Sequence, residues 1–107
     1  MSQVIHLTTE AFEKFAAQGA PLLLDFWAPW CGPCRLQGPI LDEVAKSAGD
    51  KAIVAKVNVD DEPRLAAQFG VQSIPTLILL KEGQILNRMV GLQQVQTLVT
   101  ALQKAGA

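Results

Sequence analysis

Two cysteines and one histidine are all that this chain of 107 residues offers a zinc ion by way of thiolate and imidazole. A closed structural zinc site takes four such ligands, so the composition argues against a structural metal unless two chains share it, and His6 reads as an incidental strand residue. No apolar run is long enough to span a bilayer. The start Met1-Ser2-Gln3-Val4-Ile5-His6 lacks a charged segment followed by an apolar one, which points to a cytoplasmic protein away from membranes. Positive charge is not in excess either: nine Lys and Arg stand against ten Asp and Glu, scattered rather than clustered, for a net charge of -1. That excludes the usual electrostatic footprint of a nucleic-acid binder and leaves proteins or small thiols as partners. Repeats, low-complexity tracts and linkers are absent as well, and nothing signals obligate oligomerisation. The expectation is one monomeric domain over residues 1–107, half of it apolar and able to bury a modest core. A Gly-rich dinucleotide loop is also missing, so no cofactor is expected and any electrons must come from another protein.

What is present is concentrated in Trp30-Cys31-Gly32-Pro33-Cys34, which holds both cysteines where an apolar stretch gives way to a helical pattern. A bridge across so short a loop restrains the unfolded chain little, so a structural staple is weakly motivated. Reactivity is the better motive. The first N–H groups of the following helix are unpaired and aim at its N-terminus, where a thiolate on Cys31 would be favoured. Cys31 is then the nucleophile and Cys34 the resolving thiol.

Hydrophobic spacing predicts a short strand over 3–7 and a helix with stripe Phe12, Phe15 and Ala16, capped by Thr8 or Thr9 and stopped near Gly19. Pro21 opens a strand over 22–27 that is apolar on both faces, as a central strand covered by helices should be. A helix over 34–48 follows, its stripe Leu36, Ile40, Leu41, Val44, Ala45 and Ala48, with a kink expected at Pro39. Another two-faced strand covers 52–58, and Asp60-Asp61-Glu62-Pro63 opens a short helix that ends at Gly70. Segments 76–81 and 84–90 form a hairpin around Glu82-Gly83, and a last helix carries Val95, Leu98, Val99 and Leu102. The order βαβαβαββα implies an α/β fold: a central mixed five-stranded sheet, mostly parallel, with four helices on its two faces and an antiparallel hairpin at one end. Ligands of such sheets bind beyond the carboxyl ends of central strands, where the cysteines lie.

Two lone charges interrupt the central strands. Asp25 splits Leu22-Leu23-Leu24 from Phe26-Trp27, and burial there should raise its pKa and suit it to take the proton that Cys34 must lose before attacking a mixed disulfide. The alternative is a structural acid satisfied by hydrogen bonds. Lys56 is the opposite case in Ala55-Lys56-Val57; on a neighbouring strand it would oppose the rise in the Asp25 pKa, whereas at a strand end it would only snorkel to water. Trp30 is expected to contact the redox pair, and Trp27 to pack in the core beneath it.

The decapeptide Asp25-Phe26-Trp27-Ala28-Pro29-Trp30-Cys31-Gly32-Pro33-Cys34, with Ser73-Ile74-Pro75-Thr76 and Val90-Gly91, resembles the thioredoxin family over essentially the whole chain. The resemblance implies the thioredoxin fold and a general protein disulfide reductase, a thiol-disulfide oxidoreductase that maintains cell redox homeostasis. It would be recharged by a thioredoxin reductase, either an NADPH-dependent flavoprotein or a ferredoxin-linked enzyme. It also implies a cis bond before Pro75, strand-like pairing of a substrate segment with the Ile74 backbone, and a docking surface of Trp30, Gly32, Pro33, Val59, Gly70, Ile74, Pro75, Gly91 and Leu92. The dipeptide between the cysteines, Gly-Pro, resembles the reductases rather than the isomerases or oxidases. Two departures bear on partner choice: Gln37-Gly38 stands where the family usually has an apolar residue and alanine, and Leu92 where many members have alanine. A non-catalytic docking role for the same surface, and an oxidase or isomerase working in the opposite direction, are the competing readings.

Overall fold

The computed structural model describes residues 3–107, and Met1 and Ser2 lie outside the described residues. Strands β1 (Ile5–His6), β2 (Leu22–Trp27), β3 (Ile53–Asn58), β4 (Thr76–Lys81) and β5 (Gln84–Val90) form one sheet in the order β1-β3-β2-β4-β5. Helices α1 (Phe12–Ala16), α2 (Gly32–Ala48), α3 (Pro63–Gln68) and α4 (Val95–Lys104) complete the expected βαβαβαββα order, with a single 3-10 turn at Gly49–Lys51 that the sequence pattern did not show.

The sheet is mixed and five-stranded, as expected, but its pairings are not mostly parallel. β1 and β2 run parallel to β3, while β4 is antiparallel to both β2 and β5. A connection as long as that between β3 and β4 permits either direction, so only the short β4–β5 turn declared its sense in advance. In that turn Glu82 and Gly83 both adopt positive φ, 52° and 79°, the backbone whose twist matches a two-residue hairpin. The register shifts between Leu79 and Leu80, a bulge that alternation did not reveal.

Alternate residues of the same strands build two cores. Leu22, Leu24, Phe26, Ala55, Val57, Ile78 and Leu80 face α1 and α3 and pack on Phe12, Leu65 and Phe69. Phe69 sits edge-on to Phe12 with ring centroids 5.4 Å apart and tilted against Phe26 at 5.7 Å. On the opposite side Leu23, Val54, Leu77 and Leu79 meet Leu41, Val44 and Ala45 of α2 and Leu98 and Leu102 of α4.

Several boundaries differ from the periodic reading. β1 is only Ile5–His6, and α1 covers just the span of its stripe, Phe12–Ala16, ending short of Gly19 and without a threonine side-chain cap. The Thr8 hydroxyl accepts the Ala11 N–H within the preceding turn, and both the backbone N–H and hydroxyl of Thr9 donate to Glu62 at 2.8 and 3.0 Å. α2 begins at Gly32 rather than Cys34 and continues through Pro39 to Ala48, while Leu36, assigned to its buried stripe, is 62% exposed. In its place the buried face carries Cys34, Gln37, Leu41, Val44 and Ala45.

Candidate redox site

The ends of strands remote in sequence converge at one edge of the sheet. Trp27 pairs with Asn58, Phe26 with Thr76, and Thr76 with Val90, so the loops after β2, β3 and β5 and the loop before β4 open on the same side. Cys31 is the N-cap of α2 in extended backbone, and its sulfur accepts the Cys34 N–H at 3.3 Å. Pro33 falls in the first turn, where a missing N–H costs the helix nothing. The two cysteines form a disulfide with their Cα atoms 5.3 Å apart. Cys31 keeps 6% of its surface exposed and Cys34 only 1%, so an incoming sulfur reaches Cys31 first. Gly32 and Pro33 are exposed, and a Cβ on Gly32 would meet nothing within 4 Å, which leaves the approach above the pair open. In the reduced state the helix N–H groups and dipole would favour a thiolate at Cys31.

Asp25 lies on the sheet face that α2 and α4 cover, in register with Lys56 on one side and Leu77 on the other. It is fully buried, and no group among the described residues hydrogen-bonds either carboxyl oxygen. A structural acid satisfied by protein hydrogen bonds therefore finds no support. Burial lifts its pKa from 3.8 to about 7, while the Lys56 charge pulls the other way. Lys56 is half-buried, its ammonium 3.9 Å from the centre of the Trp27 ring. It also borders a groove of ≈ 600 Å³ with His6, Gly38, Pro39, Asp42 and Lys46. Both expectations for Lys56 thus meet in one side chain, which neighbours Asp25 in the sheet and reaches an open groove. Trp27 is half-buried beneath that ammonium rather than sealed in the core, with its indole N–H unpartnered among the described residues. Pro39 belongs to this groove and not to the edge around the cysteines.

That edge is apolar. Trp30 is 68% exposed, its indole N–H held at 2.9 Å by Asp60, whose own N–H bonds the Asn58 side chain. Trp30, Val59 and Ile74 line a groove of ≈ 390 Å³ together with Ala66, Val71, Gln72 and Ser73. The Ile74 carbonyl oxygen lies 3.7 Å from the Cys31 sulfur, and the Ile74–Pro75 bond is cis. Pro75 is buried rather than exposed, and its carbonyl accepts the Gly91 N–H at 2.8 Å. Gly70 and Gly91 need glycine for their positive φ of 62° and 90°. Gly70 closes α3 outside the groove; Gly91 is bonded to Pro75, and the residue after it, Leu92, is 36% exposed.

Asp60 and Gln93 were given no role by sequence, Ser73 stood only within the motif around Pro75, and Gln37 was marked only as a departure from the family pattern, without a partner. The acid run at 60–62 read as a helix start, and nothing local distinguishes its first member as the Trp30 partner. Gln37 is fully buried and bonds the backbone of Gln93, 56 residues away. Among the described residues no group of three or more His, Cys, Asp and Glu side chains could hold a metal ion, and no helix is long and apolar enough to cross a membrane.

Comparison with known proteins agrees with this geometry. The family model named Thioredoxin matches residues 3–104. A thioredoxin of Haemophilus influenzae is 50% identical over 92 residues, covering 85% of this chain and 86% of that protein. Thioredoxin 1 of Synechococcus elongatus is 43% identical over 105 residues, with 97% and 98% coverage. The crystal structure of a Malassezia sympodialis thioredoxin superposes with a TM-score of 0.89 at 30% identity, over 100% of this chain and 94% of that one. With a cysteine pair capping a helix beside a cis proline, in a sheet of this order, the chain belongs to the thioredoxin family, whose members are thiol-disulfide oxidoreductases.

Proposed function

We propose that this chain is a general protein disulfide reductase, acting as one monomeric domain over residues 1–107 in the cytoplasm. The observation that carries the reading is the asymmetry of the pair, with the more exposed Cys31 sulfur on the helix N-terminus and Cys34 behind it. A Cys31 thiolate attacks a substrate disulfide, forming a mixed disulfide and releasing one substrate thiolate. Cys34 passes its proton to Asp25, directly or through water, and its thiolate attacks the Cys31 sulfur. The second substrate thiol leaves, and the Cys31–Cys34 disulfide holds the two electrons' worth of oxidation. Lys56 limits how far the Asp25 proton affinity rises. Substrate docks across Trp30, Gly32, Pro33, Val59, Gly70, Ile74, Pro75, Gly91 and Leu92, with its backbone along Ile74. Members of the family work with a thioredoxin reductase and disulfide-bearing targets. The electron donor of this chain is such a reductase, flavin- or ferredoxin-linked, which places the chain in electron transport.

Trapping tests the order of attack. Reduced Cys34→Ser mixed with a disulfide-bonded protein should accumulate a mixed disulfide through Cys31, and Cys31→Ser should accumulate none. Equal trapping by both variants would reverse or abolish the assignment. A potential at or below the glutathione poise, roughly -220 to -260 mV, supports the reducing direction; one far above it makes the protein an oxidant.

A further inference from the structure

A buried glutamine joins the helix of the redox pair to the edge of the docking surface. Gln37 follows Cys34 by three residues, so both lie on the inward face of α2, and it is fully buried. Its amide bonds the backbone of one residue in both directions: Nε2 donates to the Gln93 carbonyl at 2.9 Å, and Oε1 accepts the Gln93 N–H at 2.8 Å. Residue 93 belongs to neither strand nor helix, so its backbone N–H and C=O gain from a side chain the pairing that a sheet neighbour would otherwise supply. With water excluded from the amide, nothing competes for either bond.

The same short segment has a second anchor. Gly91 donates its N–H to the Pro75 carbonyl at 2.8 Å, and the Gln93 side chain turns back onto the Val90 and Gly91 carbonyls at 3.4 and 3.2 Å. Leu92 sits between the two anchors, apolar and 36% exposed. One anchor, Pro75, directly follows Ile74, whose carbonyl oxygen lies 3.7 Å from the Cys31 sulfur; the other is the helix that Cys31 caps.

We propose that Gln37 is a positioning residue that fixes Leu92 relative to the cysteine pair and so sets the selectivity for protein over small disulfides, an inference that rests on the docking surface assigned above. Gln37 touches neither substrate nor sulfur. A small disulfide needs only Cys31 and is indifferent to where Leu92 stands, whereas a protein segment spanning the edge meets it.

The test compares turnover of insulin disulfides and of bis(2-hydroxyethyl) disulfide, with dithiothreitol as donor, for the wild type and Gln37→Met, which keeps the volume and deletes both hydrogen bonds. KM for insulin should rise about tenfold with kcat little changed, while the rate with the small disulfide stays within about twofold. In a Leu92→Ala background the same substitution should cost insulin turnover less than about twofold, because the positioned side chain is gone. Equal losses on both substrates, an unchanged KM for insulin, or full additivity with Leu92→Ala overturns the proposal. Should Gln37→Met not fold, Gln37→Glu, which keeps the acceptor for Gln93 N–H and sets a second acceptor against its carbonyl, is read by the same criteria. Failure of both to fold would mark Gln37 as structural and overturn it too. A wild type that reduces neither disulfide would instead refute the reductase reading itself.

Discussion

The two faces of the sheet are made by alternate residues of the same strands, yet they differ in kind. On the side of α1 and α3 the central strands present Leu22, Leu24, Phe26, Ala55, Val57 and Ile78, with no buried charge among them. On the side of α2 and α4 the same strands present Leu23 and Leu77, but also Asp25, opposite Lys56 and without a hydrogen-bonding partner among the described residues, and the helix above contributes a buried Gln37. The first face does only what apolar burial does, and the second accepts a desolvated carboxyl within the core. The second face thus holds a group that opposes folding at neutral pH, within an apolar cluster as large as that of the first.

The comparison can be broken by substituting on each side. Phe26→Ala, on the apolar face, should cost about 3 to 5 kcal/mol in urea unfolding, by the same amount at every pH, while the folded fraction reduces insulin at the ordinary rate. A pH-dependent loss would mean that the faces are not independent. Asp25→Ala should act in the opposite sense. Between the ordinary carboxyl range and a pKa of about 7 the folded protein keeps a proton that the unfolded chain has released, so wild-type stability falls as pH rises through that window and levels off above it. Relative to the variant, the wild type should lose on the order of 3 kcal/mol between pH 4 and pH 8, together with a slower Cys34 step in the variant. Parallel stability curves for the two proteins would remove Asp25 as the source of the asymmetry. The smallest effect belongs to Gly38→Ala: a Cβ there would lie 3.8 Å from the Lys56 ammonium, an ordinary contact, so helix propensity should stabilise the protein by about 1 kcal/mol. Destabilisation measured by thermal melting would show that α2 depends on the freedom of that residue beside Pro39.

The candidate site announced itself in the sequence where it broke a local pattern. Cys31 and Cys34 form a pair at a strand-to-helix junction, and Asp25 and Lys56 are single charges inside apolar runs; each is legible within a window of a few residues. Gln37 stood out only as a departure from the family pattern, and its burial was not legible, because a polar residue in a helix reads as surface until its partner, 56 residues away, is known. Leu36 was misassigned for the complementary reason: helical spacing admits it to the stripe, and only the actual rotation of α2 against the sheet turns Gln37 inward and Leu36 out. Thr9 looked like a cap, but Glu62, 53 residues on, takes both its donors. The antiparallel sense of β4 against β2 is likewise a matter of how a long connection returns, which no local pattern records.

The convergence of strand ends at one edge also has an order in time. Ribosomes deliver Asp25, Cys31 and Cys34 before Ile74 and Pro75, and those before Gly91, Leu92 and Gln93. β4 cannot take its place between β2 and β5 until β5 has been made, so the nascent chain carries both thiols before it has the surface proposed above to dock substrates. On that proposal a newborn molecule is a plain dithiol, and it acquires its discrimination only when the last third of its sequence is in place.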